Sequence, residues 1–167
     1  MRYLAMLALI AFQTVIRADT GEPWTESVSN WSLQIHQDEA NNPHATNLRF
    51  DRSFKRFGEG SLAFDLGRPD LAKFHYTEVR LTLPQPLEAR AFDNIHVSYH
   101  VPAGIKLGRF HVTLASPDWK SFVELPEAIK PVTGDWQDLT IPLTQFGSKQ
   151  PGWDWGKVGN VMILFFW

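Results

Sequence analysis

The sequence predicts an all-β protein, specifically a two-sheet antiparallel β-sandwich. Apolar and polar residues alternate in several short segments, which is the pattern of half-buried strands. Turn residues (Pro, Gly and Asp) recur between these segments, and no stretch beyond the first 18 residues has a convincing helical period. A chain of 167 residues is large enough for one substantial core. We therefore predict a single domain built from two packed sheets.

Nine segments are predicted to be strands. In the first half of the chain they are residues 31–36, 48–50, 61–66 and 79–83. In the second half they are residues 95–99, 110–114, 122–125, 136–141 and 161–166. The last segment is continuously apolar, which is typical of a strand covered on both faces. Pro84 and Pro142 are predicted to end two strands, because proline has no N–H for the ladder.

Residues 1–18 have the features of a secretory signal peptide. Arg2 supplies a positive start, residues 3–12 are apolar, and Ala18 is a small residue at a plausible cleavage point. The apolar run is too short to span about 30 Å of hydrocarbon comfortably, which favours cleavage over a membrane anchor. The prediction is a secreted or periplasmic protein whose residues 19–167 form one β-sandwich domain.

Charge and cysteine content exclude several classes of function. The chain carries 16 basic and 18 acidic residues, for a net charge of −2, which gives no electrostatic basis for binding nucleic acid or anionic lipid. It contains no cysteine, which excludes disulfides, thiolate metal sites and cysteine nucleophiles. No Gly-x-Ser-x-Gly motif, P-loop or dinucleotide fingerprint is present.

Several motifs resemble those of one known family. They are VTGDWQDLTIPLTQF, WDW and VGNVMILFF in the second half, and RFGEGSLAFDL and GRFHVTLAS before them. Over residues 24–167 the chain resembles the β-jelly-roll carbohydrate-binding modules with the galactose-binding-domain-like fold, among them the family 11 type. The resemblance implies a non-catalytic module that binds a polysaccharide and keeps an attached or partner glycoside hydrolase near its substrate. One fold hosts many activities, so the implication is firmer for fold than for function.

The resemblance also implies two features that the residues do not locate. Modules of this type usually continue into one more strand, so the sequence is expected to be a partial chain lacking its last strand. Many also hold a structural Ca²⁺, which needs about six or more oxygen ligands. Asp19, Asp65 and Asp93 are loose candidates for such ligands, and no contiguous acidic loop motif is present.

Two tryptophans are candidates for stacking on a sugar, because the C–H faces of sugars lie flat on aromatic rings. Trp119 lies in the turn after residues 110–114, and Trp153 lies in a Gly-rich loop where packing against the sandwich is an equal alternative. Trp155 is assigned more to structure than to binding. Trp31 and Trp136 lie in strand patterns and are predicted to be core residues.

Polar candidates lie at the non-core positions of the predicted strands. Hydroxyl groups of a sugar need directed hydrogen-bond partners, and a shared polar face would supply them if the strands belong to one sheet. The predicted ligand-binding residues besides Trp119 and Trp153 are Arg80, His96, His100, His111 and Glu124. A solvated outer face without a ligand is the alternative interpretation.

Three further hypotheses are kept. The same fold could act as a structural or interaction domain against a catalytic domain, with Trp119 and Trp153 covered. It could be a small polysaccharide lyase or hydrolase that uses Glu124 or His100. His100 and His111 could share a metal ion, whereas His96 and His100 are about 13 Å apart along a strand and could not.

Overall fold

The computed structural model of the chain describes residues 9–15, 31–34, 45–56, 60–66, 76–105, 107–147 and 150–166. In this part of the chain, ten strands form two antiparallel sheets of five strands each. Their inner faces share one hydrophobic core. The prediction of an all-β, two-sheet antiparallel sandwich is therefore confirmed.

Sheet A has the strand order β3-β4-β1-β6-β9. Its strands, in chain order, are β1 (Leu9–Val15), β3 (Ala45–Asp51), β4 (Ser61–Leu66), β6 (Asn94–His100) and β9 (Trp136–Pro142). Sheet B has the order β2-β5-β10-β7-β8. Its strands are β2 (Trp31–Gln34), β5 (Tyr76–Leu87), β7 (Arg109–Ala115), β8 (Phe122–Glu124) and β10 (Val158–Phe166). Short 3₁₀ helices lie at Ala89–Ala91, Leu143–Gln145 and Trp155–Lys157.

Aromatic rings bridge the two sheets through the core. Phe64 of β4 lies 5.3 Å, ring centre to ring centre, from Phe165 of β10. Tyr99 of β6 meets Phe110 of β7 edge to face at 5.2 Å. All four side chains are fully buried. Since inward and outward positions alternate along a strand, these rings also fix which residues of each strand face outward.

The nine predicted strands correspond to β2–β10, with one clear error at a boundary. Pro84 does not end β5, which continues through Pro86 to Leu87. The reason is a bulge, because β10 pairs with β5 at Asn160–Thr82 and again only at Val158–Leu87. Both prolines lie in that irregular stretch, where a missing N–H breaks no regular ladder.

Strand β1 lies within the segment predicted to be a signal peptide. Leu9–Val15 forms the middle strand of sheet A, between β4 and β6. Cleavage after Ala18 and the limits of the mature domain stay predictions. Among the described residues, no helix is both long and apolar enough to cross a membrane.

Candidate functional site

The outer surface of sheet B presents both polar and apolar side chains. Directly paired residues of antiparallel strands project to the same side, and one row runs Arg80–Met162–Thr113–Glu124 across four strands. The next row runs Glu78–Leu164–His111. We call this surface, together with the Trp119 side chain that lies on it, the Trp119 face.

Trp119 and Arg80 form the centre of this face. The guanidinium carbon of Arg80 lies 4.4 Å from the centre of the Trp119 ring, a favourable cation–π distance. The same guanidinium donates to Oε2 of Glu78 from Nε at 3.0 Å and from Nη2 at 2.6 Å. All three side chains are half-buried. The result is a connected set of one carboxylate, one cation and one large ring at the surface.

The loop that carries Trp119 is held by its own hydrogen bonds. Ser116 Oγ donates to Asp118 Oδ1 at 2.7 Å, and the Trp119 amide donates to the Ser116 carbonyl at 3.0 Å. The Ser116 hydroxyl, followed by the backbone amide of Lys120, lowers the pKa of the Asp118 carboxyl. Asp118 is therefore ionised at neutral pH and orders the turn in the manner of an Asx turn.

Strand β10 fixes the same loop from below. Asn160 is fully buried and donates from Nδ2 to the carbonyls of Ser116 at 2.7 Å and Pro117 at 3.3 Å. A Cβ atom on Gly159 would lie 2.5 Å from Pro117 Cα, so only glycine permits this approach. Within these constraints Trp119 has a φ of 61°, a left-handed conformation that costs a non-glycine residue about 1–2 kcal/mol.

An open groove of about 470 Å³ lies beside this loop. A volume of this order is within the range of small-molecule sites. The groove is bounded by the loop between β7 and β8 on one side and by the segment before β10 on the other. Most of the residues that line it are of polar or charged type: Ser116, Pro117, Asp118, Lys120, Ser121, Pro151, Gly152, Asp154 and Lys157.

Trp153 and Trp155 pack on the sandwich. Their rings meet edge to face at 5.3 Å, and Trp155 also meets the buried Phe146 edge to face at 6.4 Å. Both are half-buried against the core. Trp153 Nε1 is buried without a hydrogen-bond partner among the described residues. These contacts favour the structural role for Trp155 and also for Trp153, whose role the sequence left open.

The outer surface of sheet A carries a second polar face. Its cross-strand pairs are His96–Thr140, Ser98–Asp138 and His100–Trp136, all between β6 and β9. We call these six residues the histidine face. Thr140 Oγ1 lies 3.1 Å from His96 Nδ1, and Ser98 Oγ donates to Asp138 Oδ1 at 2.6 Å. Each of these polar side chains therefore has a partner on the adjacent strand.

The segment after β3 covers part of the histidine face. The Phe54 ring stacks on Trp136 at 5.3 Å with an angle of 22° between the planes, and it meets His100 edge to face at 4.8 Å. Arg56 Nη2 lies 2.9 Å from Asp138 Oδ2. The Ser98 hydroxyl and then the Arg56 guanidinium lower the pKa of Asp138. Two aromatic contacts of Phe54 and one ion pair of Arg56 therefore hold this segment on sheet A.

The structure divides the predicted site residues between two surfaces. Arg80, Trp119, His111 and Glu124 lie on the outer side of sheet B. The predicted shared face is wrong for His96 and His100, because β6 pairs with β1 and β9 in sheet A.

Two other predictions are wrong, one because of the side of a strand and one because of the sheet. Trp136 is not a core residue, since it lies on the outer side of sheet A beneath Phe54. His100 and His111 lie on different sheets and cannot share one metal ion. Tyr99 is buried on the opposite side of β6 from His100, as the alternation predicts.

The described part of the chain has no acidic cluster at which the expected calcium could be placed. It contains no group of three or more His, Cys, Asp or Glu that could hold a metal ion. The Asp65 carboxylate is bound by Arg49 at 3.0 Å and by Asn47 at 2.8 Å, so it does not fit as a calcium ligand. Asp19 lies outside the described residues. The calcium expectation therefore stays untested.

Sequence reasoning missed Phe54, Arg56 and Met162 as parts of these faces. Phe54 and Arg56 lie in a stretch predicted to be only a connection. The available clue was Asp51, whose carboxylate accepts hydrogen bonds from the Ser53 and Phe54 amides at 2.9 and 3.1 Å. An Asp two residues before a Ser is a turn pattern, and it directs the following aromatic residue back over the sheet.

The fold places the chain in a known structural class, the jelly-roll β-sandwiches. Neither a family model nor a curated protein sequence matches the chain. It is similar in structure to the family 11 carbohydrate-binding module of a cellulosomal cellulase of Clostridium thermocellum. The match covers 84% of this chain and 80% of that one, with a TM-score of 0.50 and 15% sequence identity. The resemblance in fold is confirmed, and at this identity the likeness concerns the fold alone.

Proposed function

We propose that this protein is a non-catalytic carbohydrate-binding module and that its Trp119 face binds a polysaccharide. One observation carries the proposal: an indole ring is fixed at the surface by a strained, heavily hydrogen-bonded loop and lies against a cation and its carboxylate. Bulky residues are kept at positive φ chiefly where the surroundings over-determine them, and such positions cluster at functional sites. The similarity of fold to a carbohydrate-binding module supports the same function.

The chemistry of the Trp119 face suits a sugar chain. The Trp119 indole offers a flat apolar surface for the C–H groups of a sugar ring. Arg80 and Glu78 offer a donor and an acceptor for hydroxyl groups, and His111 and Glu124 extend these toward the far edge. From β5 to β8 the face spans three strand spacings, or about 14 Å. That extent favours an oligosaccharide segment over a single sugar.

The biological role follows from weak, reversible binding. Sugar sites on a β-sheet surface are wet and individually weak. Binding would hold a glycoside hydrolase, attached or neighbouring, at a high effective concentration near its substrate. We place this activity outside the cell, in line with the predicted signal peptide. The lyase or hydrolase hypothesis has no structural observation in its favour beyond the presence of Glu124 and His100.

Affinity electrophoresis tests the proposal. The folded protein is run in native gels containing β-glucan, xylan or an agar-type galactan, and we expect retardation by at least one of them. Trp119→Ala should weaken that binding at least about tenfold, because the stacking surface is lost. Trp136→Ala is the matched control, since it removes the same side chain from the opposite sheet and should change binding less than about twofold.

Three outcomes would count against the proposal. Retention in none of these gels by correctly folded protein would favour the structural-domain hypothesis. Equal binding by Trp119→Ala and wild type would move the site away from the Trp119 face. Loss of binding only in Trp136→Ala would place it on the histidine face instead.

A further inference from the structure

Strand β1 connects the two halves of sheet A. On one side Leu9–Phe12 pairs with β4, in the register Leu9–Asp65 to Phe12–Leu62. On the other side Ala11–Val15 pairs with β6, in the register Ala11–His100 to Val15–His96. In the described part of the chain, strands β3 and β4 therefore join β6 and β9 within sheet A only through this segment.

The central residues of β1 match the inner and outer rows of both neighbouring strands. Phe12 is in register with Leu62 of β4 and Tyr99 of β6, two residues that face the core. Gln13 is in register with Ser98, on the opposite side of the sheet. Ile10 is in register with the core residue Phe64 and follows the same pattern. Thr14 instead falls on the inner row with Val97, and Leu9 and Val15 fall on the outer row with Asp65 and His96. Ile10, Phe12 and Gln13 therefore supply the side-chain pattern that specifies the register of this strand.

Strands β4 and β6 cannot close the gap themselves without rearrangement of the sheet. With one strand between them they lie two strand spacings apart, about 9.6 Å, which is too far for direct backbone hydrogen bonds. Both are deeply buried, as shown by Ala63 and Phe64 at 0% exposure and Ser98 at 6%. Backbone groups left unpaired at such positions cost about 1–3 kcal/mol each, or they leave an adhesive edge.

We propose that the gap between β4 and β6 is a strand-binding slot, which an apolar extended segment completes by antiparallel pairing with both edges. In this chain the occupant is Leu9–Val15. The same residues lie within the predicted signal peptide, and residues 9–12 belong to its apolar run, so cleavage after Ala18 would vacate the slot. Recognition is by main-chain pairing with alternate side chains selecting the register, as in other cases of strand addition.

A cysteine pair in the full-length chain tests the occupancy. The natural sequence has no cysteine, so the two cysteines of a Gln13→Cys, Ser98→Cys double variant can form a disulfide only with each other. Residues paired across antiparallel strands have Cα atoms about 4.5–5.5 Å apart, within the range for a disulfide. The chain is produced under conditions in which signal peptides are not cleaved. Mild oxidation should then cross-link residues 13 and 98 in most of the protein.

Gln13→Cys with Thr140→Cys is the control pair. Thr140 lies on β9, one strand beyond β6, so its distance from residue 13 exceeds the disulfide range. A Gln13/Ser98 pair that links no better than this control would overturn the proposal.

Strand exchange is tested with Ala11→Pro in the full-length chain. Ala11 pairs on both sides, with Ala63 and His100, and proline removes its N–H without removing a large side chain. The variant should melt at a lower temperature than wild type. A peptide of residues 9–15 with solubilising lysines should restore the melting temperature in a concentration-dependent manner, whereas the same peptide carrying proline at position 11 should not. Equal melting of Ala11→Pro and wild type, or no response to the peptide, would contradict the slot.

Discussion

The two outer faces of the sandwich use an indole in opposite ways. On sheet A, Trp136 belongs to a strand, and Phe54 from the segment after β3 lies flat on it. On sheet B, Arg80 belongs to the strand, and Trp119 is brought over it by a loop. Both indoles are half-buried, so exposure alone does not distinguish them. The two faces therefore differ in the residue that contacts each indole and in whether the strand or a loop supplies the indole. We infer that this difference decides which face is suited to a ligand.

The backbone separates the two indoles further. Trp136 is at the start of a regular strand paired with His100, whereas Trp119 has a φ of 61°. Strain at Trp119 is offset by contacts that converge on its loop from β10, and the histidine face has no equivalent positive φ among Trp136, Asp138 and Thr140. Substitutions that remove the support of the Trp119 loop, or the strain at Trp119, should therefore have larger effects than matched substitutions elsewhere.

Gly159→Ala should be the most damaging single change near the Trp119 face. Its Cβ would lie 2.5 Å from Pro117 Cα and 2.8 Å from Pro117 N, and backbone atoms cannot move aside as a flexible side chain can. We expect a loss of about 3 kcal/mol in the free energy of unfolding, measured by urea denaturation, and weaker polysaccharide binding because the loop is displaced.

Gly147→Ala is the matched control for that change. The nearest atom to its Cβ would be Pro126 Cγ at 3.9 Å, an ordinary contact, so the free energy of unfolding should change by less than about 0.5 kcal/mol. Similar losses in both variants would mean that β10 does not support the Trp119 loop.

Paired glycine and alanine substitutions test the strain at Trp119 directly. Trp119→Gly should be more stable than Trp119→Ala by about 1 kcal/mol, because only glycine adopts a φ near 61° without cost. At position 136, Trp136→Ala should instead be more stable than Trp136→Gly by about 0.5–1 kcal/mol, because glycine weakens a strand. Thermal or urea unfolding of the four variants measures both differences. If Trp119→Ala were at least as stable as Trp119→Gly, Trp119 would be unstrained.

The fold was predictable because it depends on local alternation. The inward set Val79 and Leu81, and the corresponding residues of the other strands, follow directly from a period of two. Turn residues marked most strand ends. The prediction that Pro84 ends a strand failed because β5 itself is bulged there against β10, so the missing N–H of Pro84 breaks no regular ladder. Such a bulge is a property of two strands at once, which a single segment does not reveal.

The candidate site was only half predictable for a related reason. Alternation identifies which residues of β6 point away from the core, but it does not say which sheet β6 joins. His96 and His100 were therefore grouped with Arg80 although they lie on the other sheet. Trp119 and Arg80 were each recognisable as candidates. The contact between them, and the covering of Trp136 by Phe54, join residues distant in sequence and could not be predicted.

The smallest predicted effect compares the two aspartates of these faces. A serine hydroxyl is the main cause of a lowered pKa at both Asp138 and Asp118, but Ser98 acts across two strands whereas Ser116 acts within one turn. A lowered carboxyl pKa contributes stability at pH above its ordinary value of 3.8, and this contribution is lost as the pH falls through the lower folded value.

Ser98→Ala should therefore raise the Asp138 pKa toward 3.8, as measured by NMR titration of its carboxyl carbon. The accompanying loss of stability at neutral pH should be small, because the Arg56–Asp138 ion pair is well exposed and screened by solvent. Thr140→Ala on the same strand removes a hydroxyl that contacts His96 instead and should leave the Asp138 pKa unchanged. If Ser98→Ala also left it unchanged, Arg56 would be the main cause, and the covering segment rather than the strand pair would order the histidine face.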